Sequence, residues 1–428
     1  MGRAVVGVAA GMRVGRWIQQ GWNRFGDAVA KNIRGALWQS DSERMPARAA
    51  HGVLAAILAL AVVVRVSLLA RDVPTLDSDQ SVVGLMALHL LRGEWSVFYW
   101  GQPYMGSLEA MLVAPFLWLF GASSFVLHLA TLCAALAFLV AIYLTGAAIY
   151  SRAVGLVAAA LLAVGPAFFV VWSVRASGGY IETLLLGQAL LLLVLMSSGA
   201  KGVGARYAGA IGLVAGVVLW TNLLALPYLV GAAALACLQR RGDLVRGRNR
   251  YALVGGFLLG VGPALVYNIV NGGATLGTIL GLTVVGGHKA HDVVPTLPQS
   301  IWLVVSMSLP ILCGTAFGGM QVAGYTPEDY AQARAGHPVE YTVALVIMVV
   351  ALVVCAAALA RLARRWRVVR SPAASAGDGV DERERWRMQG QAALLIVGVC
   401  YFAAFCLNKQ WNVFATPRYL LPLYSLMP

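Results

Sequence analysis

Charge is scarce in this chain. Only 12% of its 428 residues are Asp, Glu, Lys or Arg, about half the usual share in a soluble protein. That argues against an ordinary globular enzyme, because 60% of the residues are hydrophobic and one soluble core stops growing at about 250–300 residues. Acids are scarcer than bases, 18 against 32. Neither a Walker A loop nor a dinucleotide fingerprint occurs, so the sequence gives no sign of a P-loop or Rossmann nucleotide site. The six cysteines (Cys133, Cys237, Cys313, Cys355, Cys400, Cys406) all lie in apolar runs. They lack zinc-ligand spacing and suit packing better than a disulfide framework.

What is present is a series of long apolar runs, the pattern of an integral membrane protein. The expected fold is an all-α polytopic membrane protein with about nine spans: 52–70, 124–149, 154–173, 181–198, 207–222, 223–238, 251–270, 341–360 and 391–407. Two further runs, 108–121 and 299–319, are expected as surface or re-entrant helices. The first is short for a span of about 20 residues, and the second is broken by Pro310 and Gly314.

The net charge of +14 sits between the apolar runs, so it reads as a topology signal rather than a nucleic-acid patch. Five arginines lie between 239 and 250 and eight between 361 and 387. Treating 108–121 and 299–319 as non-spanning puts both stretches on the cytoplasmic side. The N-terminus is then cytoplasmic too. Residues 1–51 form a basic N-terminal segment, 52–428 the transmembrane domain, 71–123 the first outer loop, and 361–390 a cytoplasmic linker. The chain ends shortly after Arg418-Tyr419-Leu420-Leu421-Pro422-Leu423-Tyr424, which reads as the start of another span, so it is expected to be C-terminally truncated.

The first outer loop carries the strongest chemical signal. Asp77-Ser78-Asp79-Gln80 follows the first span directly. One acid there is accounted for by helix capping, with Asp77 or Ser78 as the cap. Two exceed what a cap needs, which makes Asp79 a candidate general base or metal ligand at the lipid–water boundary. Arg175 and Arg418 fall at outer ends of spans, where each either binds headgroups or holds a phosphate in its planar fork. Arg65, five residues from the end of the first span, is expected to snorkel. Tyr99, Trp100 and Tyr104 are either an interfacial belt or a sugar-stacking surface. Glu182, beside Gly178-Gly179-Tyr180, is either interfacial or a sugar contact. His288-Lys289-Ala290-His291-Asp292 invites a metal reading, but its histidines are not at i and i+4.

The loop resembles the first outer loop of the GT-C superfamily of membrane glycosyltransferases, which includes the protein O-mannosyltransferases and the bacterial aminoarabinose transferases. In that family an acidic pair starts a surface helix after the first span. Here the pair falls on Asp79-Gln80, with an amide in the second place. Gly101-Gln102-Pro103-Tyr104 matches the family's Gly-x-Pro-Tyr stretch. The later acid is placed at Glu109, while Gly106 occupies the position where aminoarabinose transferases carry it. The resemblance continues over Trp172–Glu182 and at Pro417–Pro422, and covers about half the chain.

The resemblance implies a polyprenyl-phosphate sugar donor, an acceptor hydroxyl on a lipid, glycan or protein, and transfer on the outer face of the plasma membrane with inversion. Asp79 would be the base. Asp77, Gln80, Tyr104, Glu109, Arg175, Tyr180, Glu182, Arg418 and Tyr419 would line the donor and acceptor sites. Some members use a divalent cation, so no cofactor is assigned. Membrane lipids are expected partners and nucleic acid is not. The rival classes are a transporter or lipid flippase, which would place ionisable residues deep in spans, and a non-catalytic relative.

Overall fold

The computed structural model describes residues 45–197, 204–239, 242–279, 296–314, 335–369, 382–407 and 417–427. Most of these residues are helical, and no strand occurs among them. Two isolated backbone bridges, Phe98–Gly106 and Met105–Asn222, are the only pairings of extended chain there.

Five helices are long and apolar enough to cross a membrane: Ala47–Leu69 (α1), Ser124–Ile149, Gly247–Val270, Tyr341–Arg365 and Glu384–Leu407. The remaining expected spans correspond to shorter apolar helices, including Arg152–Val164, Tyr180–Met196, Ala205–Thr221 and Leu223–Leu238. The segments 108–121 and 299–319 contain the helices Leu108–Phe120 and Leu297–Leu312.

After α1 come α2 (Ser78–Leu91), α3 (Leu108–Phe120) and α4 (Ser124–Ile149). Helix α4 is central. It starts at Ser123, whose hydroxyl accepts from the Val126 amide at 3.2 Å, and Phe138, Leu139 and Ile142 on it are fully buried. By contrast, α1 is only 22% buried in its apolar window. Its exposed Leu60 and Val63 suit a lipid-facing helix.

The continuous span expected over 154–173 is instead two helices, α5 (Arg152–Val164) and α6 (Ala167–Trp172). The break falls at Gly165-Pro166. Pro166 has no amide hydrogen and excludes helical backbone at the residue before it, and Gly165 is extended at φ −170°. The break frees the last carbonyls of α5, and Arg65 satisfies them. Its guanidinium donates to Ala163 O at 2.8 Å, to Leu162 O at 3.2 Å and to Ser173 Oγ at 2.8 Å. Arg65 is 0% exposed, so it does not snorkel. It caps a helix C-terminus from across the bundle, where a cation is also favoured by the dipole.

Helix α7 (Tyr180–Met196) packs on α4, α8 (Ala205–Thr221) and α9 (Leu226–Leu238). The α8 helix lies backbone to backbone on α10 (Gly247–Val270). A Cβ on Gly212 would stand 2.0 Å from Leu253 O, and one on Gly256 2.1 Å from Gly209 O. Small residues permit this approach where lipid leaves little hydrophobic drive between helices.

Further along lie the short α11 (Ala274–Ile279), α12 (Leu297–Leu303), which continues through a π turn into Leu309–Leu312, then α13 (Pro338–Val369) and α14 (Glu382–Leu407). The linker expected over 361–390 is helical at both ends, where α13 and α14 extend past their apolar parts. An Arg365–Glu384 ion pair of 3.0 Å joins them. Arginine and glutamate are good helix formers, so each helix runs on past its apolar part.

The last element is a 3₁₀ helix, Pro417–Leu426. Leu420 and Leu421 are fully buried, and the Tyr424 hydroxyl donates to Leu312 O at 2.6 Å. Tyr228 and Ser425 share a further buried hydrogen bond. These contacts place Arg418 and Tyr419 over the start of α7.

Candidate active site

Asp77 is the N-cap of α2. Its Oδ1 accepts from the Gln80 amide at 3.0 Å, so the cap expected from sequence is present. Gln80 is fully buried. Its side-chain amide donates to Thr75 O at 3.0 Å, which ties the start of α2 to the link from α1. Asp79, in the first turn, has a 37% exposed side chain. Its backbone carbonyl accepts from the Tyr99 hydroxyl at 3.1 Å.

The segment after α2 folds back onto α8. Gly106 N donates to Thr221 O at 3.0 Å, and Trp220 Nε1 donates to Val97 O at 3.1 Å. A Cβ on Gly106 would sit 2.5 Å from the Trp220 carbonyl oxygen. A side chain larger than hydrogen has no room there unless the backbone shifts.

Glu109 lies in the first turn of α3 and is 1% exposed. Its carboxylate accepts from Gly178 N, from Gly179 N at 2.8 Å and from Thr131 Oγ1 at 3.3 Å. Gly178 and Gly179 have φ of 98° and 80°, which glycine adopts without a Cβ penalty. Glu109 thus fixes the turn between α6 and α7 from beneath. Glu182, in the first turn of α7, is also 1% exposed, and both its carboxyl oxygens lack a hydrogen-bond partner among the described residues. The two glutamates are close enough for the charge of one to act on the other.

Above that turn the charged side chains meet. Arg175 pairs with Asp77, and Arg418 Nη1 lies 3.7 Å from Asp79 Oδ2. Both guanidiniums use the same aromatic platform. Arg175 lies 4.9 Å and Arg418 5.8 Å from the Trp172 ring centroid. Arg418 also lies 5.9 Å from Tyr180 and 5.4 Å from Tyr419, whose rings are 6.2 Å apart. Cations over aromatic faces are held without being neutralised.

Two perturbations follow from this geometry. Burial, with the neighbouring Arg418 charge, lowers the Arg175 pKa. Burial also raises the Tyr104 phenol, with Tyr419, Arg418 and Asp79 near enough to act on it.

The ten residues singled out in the sequence thus fall into two layers. Asp77, Asp79, Tyr104, Arg175, Tyr180, Arg418 and Tyr419 form the charged and aromatic cluster. Gln80, Glu109 and Glu182 are buried beneath it, and Gln80 and Glu109 fix its backbone by hydrogen bonds. Trp172, whose ring both guanidiniums share, is not among those ten. Its signal was its spacing, since it precedes Arg175 by one hydrogen-bonded turn, with Arg175 N donating to Trp172 O at 3.3 Å. Among the described residues no three His, Cys, Asp or Glu side chains converge as a metal site would. The His288–His291 stretch lies outside the described residues.

Comparison with known protein families, curated proteins and solved structures finds no match.

Proposed function

We propose that this chain is a GT-C-type membrane glycosyltransferase that takes a sugar from a polyprenyl-phosphate donor. The reading rests on one observation above others. Two arginines from distant parts of the chain meet two acids of the α1–α2 link over a shared aromatic floor. Such a cluster offers the three things the reaction needs. Asp79 is a partly exposed base for an acceptor hydroxyl. Arg175 and Arg418 are forked cations for a departing phosphate. Tyr104 and Tyr419 are ring faces for a sugar, with Tyr180 buried beneath them.

In this reading the chain has nine spans, a cytoplasmic N-terminus and its cluster on the outer face of the plasma membrane. The phosphate displaces the carboxylates from the two guanidiniums and frees Asp79 to accept the acceptor's proton. One displacement at the anomeric carbon inverts its configuration and releases polyprenyl phosphate. The acceptor is a lipid, glycan or protein hydroxyl, and the donor tail lies along the apolar helices.

The test is transfer of radiolabelled sugar from a panel of polyprenyl-phosphate donors in membranes containing the chain. Label leaving one donor above the protein-free background supports the reading. Silence with every donor, in membranes where the protein is folded, favours a transporter or a non-catalytic relative.

A further inference from the structure

A second concavity opens where the link after α1 crosses the start of α4. Its volume is about 210 Å³, and its lining includes Leu69, Asp72, Thr75, Ser124, Phe125 and His128. None of these belongs to the charged and aromatic cluster. Leu69 ends α1 and Ser124 begins α4, two helices long and apolar enough to span. The cavity therefore sits at the depth where a bilayer presents its headgroups.

Its polar side chains are a carboxylate, an imidazole and two hydroxyls. His128 is 2% exposed, and its Nδ1 lies 3.1 Å from Val174 O. A carbonyl only accepts, so Nδ1 carries the proton and Nε2 is left as an acceptor. No other partner of His128 occurs among the described residues. The bond to Val174 also means that the Ser124, His128 and Asp72 set is not a nucleophilic triad, because Nδ1 is not held by the acid.

Asp72 adds a carboxylate. It is the one non-glycine with positive φ among the described residues, at 53°, a backbone region where Asp and Asn are tolerated best. It makes no ion pair or side-chain hydrogen bond there. Ser124 and Thr75 contribute hydroxyls, and Phe125 contributes a ring. No Lys or Arg lines the cavity. A phosphate or carboxylate would be repelled by the Asp72 carboxylate, with no cation in the lining to offset it. A group with several N–H donors and a positive charge would satisfy Asp72, His128 Nε2 and a hydroxyl, with the ring face adding to the attraction.

We propose that this cavity binds a primary ammonium group at headgroup depth, supplied either by an amine-bearing lipid or by a soluble amine. The assignment does not depend on the sugar-transfer reading. It does place an occupant against that site's supports. Thr75 O holds the Gln80 amide, and Val174 O, held by His128, precedes Arg175.

The test is native mass spectrometry of the full chain in detergent with phosphatidylethanolamine, phosphatidylglycerol or phosphatidylcholine added at equal concentration. Phosphatidylethanolamine should be retained at least tenfold more than phosphatidylglycerol. It should also exceed phosphatidylcholine, whose ammonium cannot donate. Asp72→Asn, which keeps the backbone conformation, should lower that retention at least tenfold and leave phosphatidylglycerol unchanged. Phe125→Leu should lower it several-fold by removing the ring face. A thermal shift with millimolar ethanolamine, lost in Asp72→Asn, identifies a soluble source instead. Equal retention of the three lipids together with no ethanolamine shift overturns the proposal. So does binding that Asp72→Asn leaves intact.

Discussion

Asp79 and Arg418 come from opposite ends of the described chain and meet at 3.7 Å. The contact is loose for an ion pair, and both side chains keep partial exposure, 37% and 27%. Such a pair contributes little to stability. Its value under the proposed function is that each partner is available to a different ligand group, the carboxylate to an acceptor hydroxyl and the guanidinium to a phosphate. Arg418→Lys keeps the charge and loses the fork. Donor KM should rise about tenfold or more, a loss of about 1.4 kcal/mol of phosphate binding, with a smaller effect on thermal stability. Steady-state kinetics on the variant checks this; an unchanged KM removes Arg418 from the phosphate site.

Asp77 has two jobs that substitutions can separate. It caps α2 through Oδ1 and pairs with Arg175. Asparagine caps about as well as aspartate, whereas alanine costs about 1 kcal/mol. Asp77→Asn keeps the cap but takes the charge from the largely buried Arg175, so it should unfold below wild type, and Asp77→Ala should be less stable than Asp77→Asn by about the value of the cap. If the cap has no structural weight, the two variants will unfold together.

Arg65 should matter to folding and not to donor recognition. Arg65→Met leaves Ala163 O and Leu162 O without the donors that replace the helix bonds lost at Pro166. Each buried acceptor left unmade costs about 1–3 kcal/mol. Unfolding in detergent should show a loss of that size, with Arg65→Lys intermediate. Donor KM in the folded fraction should be unchanged.

Gly106→Ala should destabilise the chain, because its Cβ meets the Trp220 carbonyl at 2.5 Å. Gly106→Glu should be worse still and should not gain activity, because the longer side chain meets the same carbonyl. A folded, active Gly106→Glu would show that the 97–106 segment can move away from α8.

Much of this architecture was legible in the residues. The run 124–149 coincides with the helix Ser124–Ile149, since a long apolar stretch after a serine leaves little choice of start. The Asp77 cap was legible for the same local reason. The break at Gly165-Pro166 was written in the sequence but was outweighed by the apolar run around it. Arg65 was misread because its partners, Leu162, Ala163 and Ser173, lie about a hundred residues on, and no local pattern announces them. Trp172 was passed over as one aromatic among many. Only the fold shows that Arg175 and Arg418 share its ring. The meaning of Gly106 was likewise invisible, because it depends on how closely Trp220 approaches.

The most direct test of the central claim is sugar transfer by Asp79→Asn against wild type, at matched expression and with a donor the wild type accepts. Asparagine keeps the size of the side chain and removes the base. The account predicts at least a hundredfold fall in transfer rate, within the range of about 10²–10⁴ for a lost general base, with donor binding retained. A variant that transfers sugar at the wild-type rate would contradict it.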